Sequence, residues 1–85
     1  MAISIETETR KLDGLLALLR HCSASETCEL VEEHLQDART YLLGAMSVEC
    51  RLNLELALEA SSRIPDAAVR AESRKVLREL IDDDA

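Results

Sequence analysis

The residues of this chain best suited to hold a metal ion or to act as nucleophiles are two histidines and three cysteines. Four of these five lie close together in the sequence: His21, Cys22, Cys28 and His34. Zinc sites usually show tighter Cys-x₂₋₄-Cys or His-x₃₋₅-His pairs. Because Cys28 also falls at a hydrophobic position of a helical pattern, we expect buried thiols and surface histidines, with no metal ion or other cofactor.

The sequence also lacks the pattern of a catalytic site. A nucleophilic mechanism needs a cysteine or serine beside a base, and no motif or glycine-rich oxyanion turn accompanies the candidates. The paired acids Glu32 and Glu33 suit a solvated helix face better than a general acid–base pair. No Glu-x-x-His pair of a di-iron bundle and no phosphate-binding loop occurs. We therefore predict a protein that is not an enzyme.

The composition favours a single all-α domain spanning residues 1–85. The chain has two glycines, one proline and one aromatic residue, Tyr41, whereas Leu, Ala, Glu and Arg are abundant. All-β domains need many turn residues, and these four abundant types are good helix formers. A core this small contributes little net stability, so contact with a partner would help the domain.

The charge narrows the class of partner. A formal net charge of −7 weighs against direct binding to nucleic acid and to anionic membranes. The polar, acidic N-terminal segment does not resemble a signal peptide, and the longest aliphatic run, Leu15–Leu19, is too short to span a bilayer. Three cysteines without metal-type pairing indicate free thiols in a reducing compartment. We expect a cytoplasmic protein whose partner is a second copy of itself or a larger protein.

Hydrophobic periodicity predicts the first two helices, after a frayed end at about residues 1–4. The first runs from about Ile5 or Thr7 to His21. The second begins after a capping box of Ser23 and Glu26. Its hydrophobic positions recur like a heptad seam, and they are Cys28, Val31, Leu35, Ala38, Leu42 and Ala45.

The third and fourth helices are predicted from a break and a proline. We expect the second helix to stop at or somewhat before Gly44, and Ser47 to cap the third. Ile64-Pro65-Asp66 opens the fourth helix with Pro65 at its first position, and residues 82–85 fray. The buried seam expected in the fourth helix is Val69, Val76 and Leu80, with Leu77 and Ile81 beside it. The predicted architecture is a bundle of three to four mostly antiparallel helices.

Residues 48–60 alternate apolar and polar side chains as a half-buried strand would. Helix formers dominate this segment and only Val48 is β-branched, so we predict a helix with two apolar stripes. One stripe holds Leu52, Leu56 and Ala60. One stripe is enough for a bundle core, so we expect the other to contact a partner. The candidate partner interface comprises Cys50, Leu54, Ala57, Leu58 and, off the main seams, Leu43.

Four arginines fall within one narrow arc of the fourth helix or just before it: Arg63, Arg70, Arg74 and Arg78. They could face the acids of the second helix or remain solvated. They could also form an electrostatic docking stripe for an acidic partner, or contact nucleic acid. The sequence leaves these three explanations open.

The segment LLGAMSVECRLNLELALEASSRIPD, residues 42–66, resembles the second-helix region of acyl carrier proteins. There a Leu-Gly-Ala-Asp-Ser-Leu motif presents the serine that carries phosphopantetheine, and Ile-Pro-Asp follows. The resemblance implies a carrier modified on Ser47, with Met46 in place of the family's Asp. It also implies a long loop at residues 24–43, where the periodicity here predicts a helix.

A second pair of segments, LLRHCSASETCELV and ECRLNLELALEASSRIP, is similar to the Hha/YmoA family of small nucleoid-associated modulators. Those are four-helix proteins in which an Ile-Pro opens the last helix. The resemblance implies a modulator of a nucleoid or transcription protein. Glu49 would take the place of the family's Asp, which contributes to binding the H-NS partner.

Overall fold

The computed structural model of the chain describes residues 5–21 and 25–83, with Asp83 described only in its backbone. These residues form four α-helices and no strand: α1 (Ile5–His21), α2 (Glu26–Leu43), α3 (Ser47–Ser61) and α4 (Ala67–Asp83). The predicted all-α bundle is confirmed, and the alternating segment is helical. Of the predicted frayed ends, residues 1–4, 84 and 85 lie outside the described residues, and residues 82 and 83 belong to α4.

Helices α1 and α2 bury the apolar positions that predict them. α1 turns four leucines inward: Leu12, Leu15, Leu16 and Leu19. In α2 the buried positions are Cys28, Val31, Leu35 and Ala38. Leu42 is partly buried against the core, and Ala45 lies beyond the end of the helix. The heptad seam of α2 therefore faces inward for its first three turns.

Ser25 is the N-cap of α2. Its Oγ accepts a hydrogen bond from the Cys28 backbone N–H at 3.0 Å. The predicted capping box with Ser23 as N-cap is wrong, and Ser23 itself lies outside the described residues. With Ser25 as N-cap, position N3 is Cys28, which has no acidic side chain to complete a capping box.

A Schellman motif ends α2. The Met46 backbone N–H donates to the Tyr41 carbonyl at 2.8 Å, and the Ala45 N–H donates to the Leu42 carbonyl at 3.1 Å. Ala45 adopts the left-handed conformation of this motif, with φ 58°, whereas Gly44 has φ −85°. The predicted break near Gly44 is confirmed. The glycine, however, lies one residue before the left-handed position, where glycine would be favoured.

The start of α3 differs from the prediction by one residue, and the start of α4 differs by two. Ser47, expected to cap α3, is its first helical residue, and the N-cap is Met46, which makes no side-chain cap bond. Asp66 caps α4, because its Oδ1 accepts a hydrogen bond from the Val69 N–H at 3.0 Å. Pro65 therefore lies before the cap rather than at the first helical position.

The four helices form a ring in which each packs against its neighbours in sequence, and α4 closes the ring on α1. Within the described ranges, α1 and α3 lie diagonally across the bundle, as do α2 and α4, and the backbones of these two pairs are not adjacent. Ion pairs join α1 to both of its neighbours, Asp13 with Arg39 at 2.7 Å and Lys11 with Glu79 at 3.8 Å. None of these helices is both long and apolar enough to cross a membrane.

The core runs along the axis of the bundle. In α4 the buried positions are Val69, Ser73, Leu77 and Leu80. Val76, expected in this seam, is only partly buried at its margin. The radius of gyration is 11.8 Å, close to the value of about 12 Å expected for a compact domain of this length. Apolar side chains that remain exposed are therefore not the result of a loosely packed bundle.

Candidate protein-contact surface

Exposed apolar side chains are concentrated around the α2–α3 turn and along α3. Of the seven large apolar side chains exposed in the described residues, five lie between residues 43 and 56. We call these five the apolar strip, and their exposed fractions are Leu43 54%, Met46 45%, Val48 75%, Leu52 55% and Leu56 41%. A patch of this kind, bordered by polar residues, is typical of a contact surface.

Helical geometry aligns the part of the apolar strip that lies on α3. Val48, Leu52 and Leu56 recur every four residues, so they share one side of the helix. At a rise of 1.5 Å per residue they extend over about 12 Å. Leu43 and Met46 continue the strip onto the turn that precedes α3. The strip thus covers two turns of helix and one end of the α2–α3 hairpin.

The structure buries the stripe of α3 that was predicted to contact a partner, and it exposes most of the stripe that was predicted to lie in the core. Cys50, Leu54 and Ala57, three of the five candidate interface residues, are buried in the core of the chain. Leu58 is partly buried against that core, and only Leu43 is exposed. The stripe expected in the core instead exposes two leucines and buries only its alanine, Ala60. The prediction of an interface at the buried positions is corrected accordingly.

Small residues explain why the stripe of Cys50, Leu54 and Ala57 faces inward. Ala57 and Ser61 on this side of α3 are both buried, and side chains of this size let neighbouring helices approach closely. A signal in the sequence could have identified the solvent side. At about 100° per residue, Glu55 and Glu59 fall on the same side of α3 as Leu52, and all three are exposed.

The rim of the apolar strip is polar and mainly acidic. Arg51 forms an ion pair with Glu55 at 3.3 Å, and both side chains are about half exposed. Glu59 is exposed and Glu49 is half-buried in the first turn of α3. The Glu49 carbonyl accepts a hydrogen bond from Asn53 Nδ2 at 2.9 Å. Three carboxylates and one arginine therefore border the strip along α3.

The acidic character extends over both helices of the hairpin. Residues 26–61 contain eight Asp and Glu against two Lys and Arg, which places −6 of the formal net charge of −7 there. On α2, the exposed acids are Glu26, Glu29, Glu33 and Asp37. The apolar strip thus lies in the most negatively charged part of the chain.

A pocket of about 210 Å³ adjoins the apolar strip. It opens where the start of α1 meets the α2–α3 turn, and its lining is mostly apolar, including Ile5, Leu42, Cys50 and Leu54. Met46 belongs both to the pocket lining and to the apolar strip. The pocket is large enough to receive one apolar side chain from outside the molecule.

Two of the four arginines predicted as a docking stripe bind backbone carbonyls within the chain. Arg74 Nη1 donates to the Leu58 carbonyl at 2.9 Å and to Ser61 Oγ at 3.3 Å. Arg70 Nη1 donates to the Ile64 carbonyl at 2.8 Å. Ile64 lies beyond the end of α3, whereas the Leu58 carbonyl, in the last turn of α3, also accepts a hydrogen bond from Ser61 Oγ at 2.6 Å.

The other two arginines, Arg63 and Arg78, are exposed. Pairing of the arginine stripe with the acids of α2 is wrong, because α4 and α2 are not neighbours in the described part of the chain. Arg70 and Arg74 stabilise the α3–α4 connection instead, so the four arginines do not form one free surface.

The histidines and cysteines do not converge. Cys28 is buried with a free thiol, His21 is exposed and His34 is half-buried. Cys22 lies outside the described residues. No group of three potential metal ligands forms among the residues that the structure describes.

Two positions singled out by family resemblance lie at the start of α3. Ser47 is exposed and also lines the pocket, while Glu49 borders the apolar strip. Helix α2 occupies the segment for which the carrier resemblance implies a long loop. Comparison of the chain with protein-family models, curated proteins and solved structures gives no match. The acyl-carrier and Hha-like interpretations therefore stay predictions.

Proposed function

We propose that this chain is a non-enzymatic protein–protein contact module and that the apolar strip is its contact surface. The observation that carries the proposal is the clustering of five exposed large apolar side chains within residues 43–56. The bundle does not need them for its own core, which is filled by inward-facing residues of all four helices and by Ile64. Covering them would remove apolar surface from water, which stabilises a complex by about 25 cal/mol for each Å² of apolar surface buried.

The partner class follows from charge and surface chemistry. Phosphate backbones and anionic membranes are repelled by an acidic surface, whereas a protein can match both the apolar strip and its rim. The partner is either a second copy of the chain or a larger protein that this chain serves as an accessory or regulatory subunit. The buried free thiol of Cys28 supports a reducing compartment, and we place the contact in the cytoplasm.

Site-specific photocrosslinking tests this proposal. A photoreactive p-benzoylphenylalanine replaces Leu52 in the apolar strip, and a matched variant carries it at Ala71, which is exposed on α4. After irradiation in the native cell, we expect covalent adducts from position 52 and few from position 71. Mass spectrometry of the adducts separates a second copy from another protein. Equal crosslinking from both positions, or none from position 52, would contradict the proposal.

A further inference from the structure

We infer that the occupant of the apolar strip is a cationic amphipathic helix of another protein. This inference rests on the proposed function, because it specifies the partner of the same surface. Two observations carry it: the strip and pocket match the anchors of one helix, and the surrounding hairpin is strongly acidic. The partner's helix would place leucine-like side chains on the strip and lysines or arginines against the rim.

The electrostatic argument begins at the rim. Glu49, Glu55 and Glu59 border the strip on α3, and the nearby cation, Arg51, already pairs with Glu55. With a formal charge of −6 in residues 26–61, the hairpin attracts cations over a distance of about one Debye length, near 8 Å at physiological salt. Opposite charges across an interface raise the association rate and exclude partners of the wrong sign.

The same charges argue against a second copy. In a two-fold symmetric dimer the same patch meets itself, so one acidic hairpin would face another. A stable dimer buries about 800 Å² on each subunit, roughly a sixth of the 5149 Å² surface of this chain. The part of the strip on α3 extends over only about 12 Å, so an interface of that size would force the acidic rims together.

The dimensions of the strip suit a single helix. Helices that bind in grooves present apolar anchors at positions i, i+3 or i+4, and i+7. Such anchors lie over two turns, as do Val48, Leu52 and Leu56. The adjoining pocket of about 210 Å³ can hold a further anchor at the Met46 end, and interface energy is concentrated where anchors fill pockets.

Peptide titration tests the inference on the full-length chain. The probe is a helix-forming peptide of about 18 residues with leucines on one face, lysines on the other and one tryptophan. One control peptide replaces every lysine with glutamate, and a second keeps the composition but scatters the leucines. Because the chain has no tryptophan, the fluorescence of the peptide reports binding directly. We expect the leucine–lysine peptide to bind at least about tenfold more tightly than either control.

Variants assign the binding to the strip. Leu52→Gln should weaken binding of the leucine–lysine peptide by about tenfold or more, while Ala71→Gln, at an exposed position of α4, should leave it unchanged. We expect both variants to fold, because both positions are exposed. Circular dichroism checks that they do. Equal binding of the glutamate peptide or the scattered peptide would overturn the inference, as would equal binding by Leu52→Gln.

The two proposals fail in different ways. Crosslinks from position 52 to a second copy of the chain would retain the contact surface and overturn the cationic partner. Crosslinks to another protein through a helix without basic residues would do the same. Absence of crosslinks from position 52 would overturn the contact surface itself.

Discussion

The α2–α3 hairpin and the α1–α4 pair differ in what they present to solvent. The hairpin carries six of the seven exposed large apolar side chains in the described residues and −6 of the net charge. The α1–α4 pair exposes only Ile5 of that group, and α1 carries equal numbers of acidic and basic residues. α4 directs two arginines to the end of α3. The α1–α4 pair thus contributes mainly to the fold, whereas the α2–α3 hairpin also exposes an apolar and acidic surface.

The largest expected effect contrasts two leucines, one in each half. Leu77 of α4 is fully buried, whereas Leu52 of α3 is 55% exposed. Leu77→Ala should lower the free energy of unfolding by about 2–5 kcal/mol, because it removes core contacts and leaves a cavity. Leu52→Ala should change it by less than about 0.5 kcal/mol. Urea titrations followed by circular dichroism measure both, and comparable losses would show that the apolar strip belongs to the core.

A smaller effect is expected from the arginines of α4. Arg74→Met should cost about 1–2 kcal/mol, because it removes the charged one of the two side-chain donors to the Leu58 carbonyl, and the donor to Ser61 Oγ, while keeping much of the side-chain volume. Arg78→Met, at an exposed position, is the matched control and should be nearly neutral. If the two variants unfold at the same urea concentration, Arg74 does not stabilise the end of α3.

Ser73 offers a gain of stability in the supporting half. Its side chain is fully buried, and its Oγ has no hydrogen-bond partner among the described residues. Ser73→Ala should raise the free energy of unfolding by about 1 kcal/mol, because it removes an unsatisfied buried hydroxyl. Differential scanning calorimetry would detect the higher Tm. A lower Tm would indicate that the hydroxyl is satisfied by a group such as a bound water.

The smallest expected effect lies in the hairpin, at the left-handed residue of its turn. Ala45→Gly should stabilise the chain by about 0.5 kcal/mol, since glycine adopts positive φ without strain but is more flexible when unfolded. Gly44→Ala is the companion change. A Cβ there would meet the Thr40 carbonyl oxygen at 3.5 Å, an ordinary contact distance. The double variant that combines Gly44→Ala with Ala45→Gly should therefore be at least as stable as the native chain in urea titrations.

The fold could be predicted because several signals agree. Leucine spacing defines α1, the heptad positions define α2, and Gly44 and Pro65 lie at the two breaks that follow. The caps were harder to place, since Ser23 and Ser25 offer the same chemistry two residues apart. Local geometry, rather than residue type, selects Ser25 as the N-cap.

The position of the apolar strip was harder to predict than the fold. Alternation in α3 produces two stripes of similar apolarity, and a helix wheel alone gives no preference between Leu54 and Leu52 for the core. The choice depends on which stripe packs more closely against the neighbouring helices, and Ala57 and Ser61 favour the stripe of Leu54. The role of Arg74 depends on a tertiary neighbour, the end of α3, which residue spacing within α4 cannot specify.

The acidic rim of the apolar strip also affects how this protein behaves in concentrated solution. At neutral pH, the carboxylates beside Leu52 and Leu56 make two molecules repel each other when their apolar strips approach. Near the isoelectric point of about 4.7 the net charge of the chain falls to zero and the repulsion weakens, while the leucines remain exposed. The glutamates of α3 therefore act as a colloidal barrier, which lets the chain keep an apolar surface open without precipitating.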